Sequence, residues 1–254
     1  MSLSVTCYVV PGKAKSQLLC EAFAAGCRGT VSAAQHLLPG PAFFYGVAEA
    51  TQRVWDQVRA EGREYYYADN SYFDRARQRY FRITRNAFQV SALVRADPAR
   101  LAALGVKARP WQKPGRHIVV VEQSDAFMQL VGVGPGWLTR TVEELRLHTD
   151  RPLRVRAWRR DKDKAAATLA ADLAGAWALV THMSAAANEA LLAGIPVFVT
   201  GECAARAMAS GPLSAIEQPL YPDGVPEWAA GLAANQWSIA EIRTGIAWRA
   251  LHVA

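Results

Sequence analysis

The sequence predicts an α/β protein of two Rossmann-like domains facing across a cleft, and three stretches predict it. Residues 176–201, AWALVTHMSAAANEALLAGIPVFVTG, read as strand, polar turn, helix and second strand with almost no slack. Residues 4–25 open with an apolar strand, a Pro11-Gly12-Lys13 turn and a helical stretch. Residues 118–121, Ile118-Val119-Val120-Val121, begin a second unit of the same logic. Short apolar strands alternating with helices are the pattern of parallel sheets covered on both faces.

In chain order, the apolar run 4–10 is the first strand, and residues 16–25 have helical spacing. Residues 42–47 make the next strand, and Val54, Trp55 and Val58 give residues 48–61 one apolar helical face. The aromatic strand Glu64-Tyr65-Tyr66-Tyr67-Ala68 ends in Asp69-Asn70-Ser71, polar groups that serve either chemistry or a turn. Residues 73–86 interleave five arginines with Tyr72, Phe73, Tyr80 and Phe81, and the spacing of two fits an irregular or extended segment. Residues 96–117, rich in Pro, Gly and basic residues, read as a linker, giving domains 1–112 and 113–254. After strand 118–121 come the loop Glu122-Gln123-Ser124 and a helical stretch to Leu130. The turn GVGPG at 132–136 follows a helix instead of a strand and so fails as a dinucleotide fingerprint. Thr139 or Thr141 is expected to cap the helix to His148, before a strand over 152–157. Ser184 is expected to cap a helix over 185–193, which Gly194 ends. Residues 202–210 are expected as a short helix, and residues 238–251 as one amphipathic helix, possibly packing back on the first domain, with Ser238 and Glu241 forming a capping box.

Composition narrows the function. At 254 residues and 51 % hydrophobic, the chain can bury a large core, and no apolar run is long enough to span a bilayer. Residues 1–13 lack a charged region before a signal-like core, so a cytoplasmic location without membrane insertion is the expectation. The four cysteines have no CxxC spacing, which argues against a zinc knuckle or a disulfide framework and for buried free thiols. A net charge of +7 favours polyanionic partners.

The core S-x-x-x-x-E-A-L-x-x-G-I-P-V at 184–197, together with the Thr181-His182-Met183-Ser184 turn, resembles the donor-nucleotide segment of glycosyltransferases of the GT-B fold. The stretches around Ala207-Met208, Ile216-Glu217-Gln218-Pro219-Leu220, Trp228 and Gln236-Trp237-Ser238 are similar to a compact phage and bacterial GT-B-like family. The E-x-seven-E pattern of many retaining transferases is missing, and Trp158 stands where Lys-Pro or His-Pro often follows the arginine strand.

The resemblance implies a nucleotide sugar, taken as UDP-linked, as co-substrate in place of a cofactor, and no metal. The donor would meet Gly12, Lys13, Gln123, Ser124, Arg156, Thr181, His182, Ser184, Asn188 and Glu189, with Glu189 on ribose or sugar hydroxyls. Asp69 is the candidate general base and His182 its reserve. Asn70, Tyr72, Arg82 and Arg85 are the candidate acceptor contacts. A hydroxymethylpyrimidine in duplex phage DNA is the expected acceptor, reached by flipping the base onto the aromatic residues of 72–81. A surface glycan or other small acceptor is the alternative, and a noncatalytic nucleotide-binding protein is a third reading.

Overall fold

The structure, a computed structural model, describes residues 4–75, 77–90, 93, 95–158 and 168–252. It divides into two compact units, residues 1–90 with 231–254 and residues 91–230, where the sequence suggested 1–112 and 113–254.

The first part of the first unit follows the expected order: β1 (Thr6–Tyr8), α1 (Ala14–Cys27), β2 (Thr30–Ser32), β3 (Ala42–Tyr45), α2 (Glu49–Ala60), β4 (Tyr65–Asn70) and β5 (Tyr80–Arg85). The strands β1, β2, β3 and β4 pair in parallel, and β5 turns back antiparallel to β4. β4 lies inside the sheet, so Tyr65, Tyr66, Tyr67 and Ala68 are all buried, as expected of a strand covered on both faces. Phe23 of α1 stacks on Phe43 of β3 with ring centroids 4.2 Å apart. Of the two forms expected over 73–86, irregular or extended, residues 80–85 take the extended one as β5. Phe81 and Ile83 enter the core, and Arg82, on the other face, is buried as well.

The second unit holds a wholly parallel sheet. α3 (Pro98–Ala103) precedes β6 (His117–Val121), α4 (Asp125–Leu130), α5 (Trp137–Arg146), β7 (Leu153–Arg156), α6 (Leu169–Leu173), β8 (Ala176–Thr181), α7 (Ala186–Leu192) and β9 (Val197–Val199), with α8 (Val225–Ala234) crossing into the closing segment. The strand order is β7-β6-β8-β9. The expected linker belongs to this unit. Asp97 caps α3, the Arg109 N–H donates to Leu192 O at 2.8 Å, and the Gln112 N–H donates to Gly194 O at 2.8 Å. α5 begins at Trp137 after Gly136, so Thr139 and Thr141 lie inside the helix and do not cap it. In place of a helix over 202–210 there is a 3₁₀ turn, Arg206–Met208.

The chain then returns to the first unit through β10 (Gln236–Ser238), α9 (Ile239–Arg243) and α10 (Ile246–Ala250). β10 pairs antiparallel with β5 and completes the order β10-β5-β4-β3-β1-β2. Ser238 and Glu241 form the expected capping box. The expected single terminal helix is broken at Gly245, whose φ of +77° is left-handed and whose Cβ, if it had one, would sit 2.7 Å from Gly26 O. Cys7, Cys20 and Cys203 are buried free thiols, and Cys27 is half-buried. Among the described residues no helix is long and apolar enough to cross a membrane, and no group of three or more His, Cys, Asp or Glu is placed to hold a metal ion.

Candidate functional site

In the second unit the parallel strands bring their carboxyl ends to one edge, and the order β7-β6-β8-β9 makes the chain switch direction between β6 and β8. In open α/β sheets that switch point is where ligands bind. The residues flanking it are Gln123 and Ser124 after β6 and His182 to Ser184 after β8. They are fixed to one another: the Met183 N–H donates to Gln123 Oε1 at 2.6 Å, and the Thr181 hydroxyl, fully buried, donates to Val121 O at 2.9 Å. Ser124 caps α4 by accepting from the Phe127 N–H at 3.2 Å. Ser184 accepts from the Ala186 N–H at 3.2 Å, but the cap residue of α7 is Ala185, one place beyond the expected Ser184.

Two side chains here are buried with polar capacity to spare. Asn188, in the first turn of α7, is 2 % exposed, and its Nδ2 has no hydrogen-bond partner. Such an orphan ordinarily costs about 1–3 kcal/mol, and Arg82 Nε in the first unit is another. His182 is 7 % exposed, and burial holds its imidazole below the ordinary histidine range. Its Nδ1 lies 2.9 Å from Thr200 Oγ1, which also accepts from Trp137 Nε1 at 2.9 Å.

Other expected donor residues are placed differently. Arg156, at the end of β7, is paired with Asp172 of α6, Nη1 to Oδ2 at 2.5 Å. Glu189 faces outward and lines a cavity of about 380 Å³ with Lys107, Arg109 and Gln112, none of which belongs to the switch-point group. Gly12 and Lys13 follow β1 and so belong to the first unit. The basic residues of 159–164 lie outside the described residues.

In the first unit, Asp69 ends β4 directly opposite Arg82 of β5. Arg82 Nη2 donates to Asp69 Oδ2 at 2.6 Å, with the arginine side chain 7 % exposed and the carboxylate 32 %. The Asn70 N–H also donates to Asp69 Oδ1, and Arg82 Nη1 donates to Asn70 O at 3.2 Å. Beside them, burial and then the Asp69 charge push the Tyr45 hydroxyl up to about 12. Arg85 pairs with Glu64 at 2.5 Å, and Arg79 with Asp74 at 2.6 Å. Tyr72, Phe73 and Phe81 are buried, and Tyr72 Oη accepts from the Val90 N–H at 2.9 Å. The interleaved arginines and rings thus serve ion pairing and core packing, and those three rings present no face on which a flipped base could stack.

Reading the sequence missed Trp137, Thr200 and Gly201. The signal was present for the last two, a small polar pair at the carboxyl end of a strand, while Trp137 is brought in by α5 and has no local mark.

No protein-family model matches the chain, and no curated protein matches it. Among solved structures the chain is similar to Thermosulfurimonas dismutans KpsC, beta Kdo 2,7 transferase, at TM-score 0.54 and 13 % identity, over 98 % of this chain and 100 % of that one. It is similar also to Thermosulfurimonas dismutans KpsC, beta Kdo 2,4 transferase, at TM-score 0.52 and 11 % identity, over 91 % and 90 % of the two chains. The two-sheet α/β architecture is therefore shared with solved glycosyltransferases, and at these identities the likeness is one of fold.

Proposed function

We propose that this chain is a glycosyltransferase that moves a sugar from a nucleotide-sugar donor to a hydroxyl of a saccharide acceptor. The observation that carries the reading is the group of Gln123, Ser124, His182 and Ser184 at the switch point of a parallel sheet, with the buried, unpartnered amide of Asn188 in the first turn of the helix that follows. The shared fold gives that site its context.

Breaking the bond between sugar and nucleotide leaves negative charge on the departing phosphate. Fixed N–H and O–H donors aimed at that charge lower the barrier because they need no reorientation as it forms. Asn188, His182, Ser124 and Ser184 are the donors we assign, with Arg156 at the end of β7 as a further cation. For the acceptor the first unit offers Asp69. Its carboxylate is oriented by Arg82 and still one-third exposed, so it can take the proton from an attacking hydroxyl. A saccharide acceptor is preferred to duplex DNA because three of the four rings expected to stack on a base, Tyr72, Phe73 and Phe81, are core residues.

The test is a panel of nucleotide sugars, headed by a Kdo donor because both solved proteins are named as Kdo transferases, scored by thermal stabilisation and by transfer. At 100 times Kd a true donor adds about 2.7 kcal/mol, which raises the melting temperature by several degrees. No stabilisation by any donor would overturn the reading. Stabilisation without transfer to any saccharide would leave a noncatalytic nucleotide-binding protein, and transfer confined to hydroxymethylated duplex DNA would restore the DNA acceptor.

A further inference from the structure

Thr200 follows β9 at the same sheet edge, and its hydroxyl lies between two nitrogen atoms. Trp137 Nε1 is 2.9 Å from Oγ1, and His182 Nδ1 is 2.9 Å from it. An indole N–H only donates, so Oγ1 accepts from Trp137. The hydroxyl keeps one proton, and the imidazole Nδ1 is the protein acceptor within reach of it. The run from indole N–H to hydroxyl to Nδ1 gives every donor an acceptor and leaves the ring proton on Nε2. The opposite arrangement, with Nδ1–H donating, would fill both lone pairs of the oxygen and leave the hydroxyl proton without a protein acceptor.

Gly201 packs against the Cε1–Nε2 bond of the ring and against Met183. A Cβ at this position would lie 2.6 Å from Cε1, 2.7 Å from Nε2 and 2.7 Å from Met183 Cγ, closer than real side chains come, so glycine lets the ring sit where it does. The Gly201 N–H donates to His182 O at 3.1 Å and so holds the glycine against the ring. Burial adds to the effect by disfavouring the imidazolium, so the ring stays neutral at neutral pH.

We propose that Trp137 and Thr200 are positioning residues that fix His182 with its proton on Nε2, making it a hydrogen-bond donor to an anionic oxygen of the bound nucleotide. His182 is then no proton acceptor, which removes it as the reserve base: one ring nitrogen is occupied by Thr200 and the other carries the proton. The identity of the ligand rests on the glycosyltransferase reading, whereas the tautomer does not.

Long-range ¹H–¹⁵N correlation on protein carrying ¹⁵N-histidine, at pH 7.5, reads the tautomer, with His182 assigned by the signal lost in His182→Gln. The wild type should give the Nε2–H pattern. Thr200→Val, which keeps shape and removes the hydroxyl, should return His182 alone to the tautomer mixture of a free neutral ring, and Trp137→Phe should do so part of the way. Circular dichroism of each variant checks the fold. An Nδ1–H or imidazolium pattern in the wild type, or an unchanged pattern in Thr200→Val, would overturn the proposal. His182→Gln should weaken binding of UDP and of pyrophosphate, measured by calorimetry, about tenfold or more, a loss of at least about 1.4 kcal/mol. Undiminished binding would remove His182 from the site. A wild type with the Nε2–H pattern that binds neither probe nor any donor of the panel would sink the glycosyltransferase reading and leave the tautomer standing.

Discussion

At the carboxyl end of β4 the polar side chains hold one another: Asp69 holds Arg82, and Arg82 reaches back to Asn70 O. At the carboxyl ends of β6 and β8 the side chains instead hold the backbone of the loops, through Gln123 on Met183 and Ser184 on Ala186. Each region keeps one buried N–H without a partner, Arg82 Nε in the first and Asn188 Nδ2 in the second, so the two differ in what their bonds fix and not in being complete. An ion pair between strands ties down side chains, whereas bonds to loop backbone set the shape of a loop, and a shaped loop at a switch point is where a ligand is met.

The largest expected effect breaks the first edge. Asp69→Ala leaves the buried Arg82 charge without its carboxylate and should cost the first unit about 3–5 kcal/mol in chemical denaturation, with Arg82→Met in the same chain restoring most of it. A loss below about 1 kcal/mol would show that the pair is not structural. Asp69→Asn, assayed below its melting temperature, should lower turnover on the order of 10²-fold or more if Asp69 is the base.

The second edge is tested through binding. Arg156→Ala should weaken nucleotide affinity by about 1.5–3 kcal/mol in calorimetry, and an unchanged affinity would confine Arg156 to its pair with Asp172. Asn188→Leu sharpens the contrast because its sign is opposite to that of Asp69→Ala. Removing an unsatisfied amide should leave stability equal or raise it by about 1 kcal/mol while donor binding is lost. A clear destabilisation would mean that the amide has a partner within the protein.

The smallest effect is a pH dependence. The folded His182 binds its proton less readily than the unfolded chain, whose histidine titrates near 6.5. Its contribution is therefore fully present above that pH and lost as pH falls below it. Melting curves from pH 8 to 5 should flatten in His182→Gln, and an identical slope would show that the histidine is not desolvated.

The parallel strands and their helices were legible in the sequence because their apolar runs are short, β-branched and bounded by glycine or proline. The strand β5 was only half legible: Phe81-Arg82-Ile83-Thr84 alternates as a strand should, but the arginine spacing fitted an irregular segment as well, and the burial of the polar face depends on the carboxylate opposite Arg82 on β4. β10 escaped for a different reason: three residues carry no period, and their partner lies more than 150 positions earlier in the chain. At the candidate site, Gln123, Ser124, His182, Ser184 and Asn188 were legible from their places after strands or in the helix that follows. Glu189 lies on the exposed side of α7, which helical spacing alone does not place, and Trp137 was invisible because its tie to Thr200 is purely tertiary.

The edge strand β10 also sets an order of events at the ribosome. Residues 91–230 form a contiguous stretch that is complete while the tail is still unsynthesised, so this unit can fold as it emerges. The sheet of the first unit, although its other five strands come first, waits with the flank of β5 uncovered until Gln236–Ser238 arrives. An arginine-bearing strand is a suitable one to leave waiting. Its charges discourage the edge from pairing with a neighbouring nascent chain before its own partner is made.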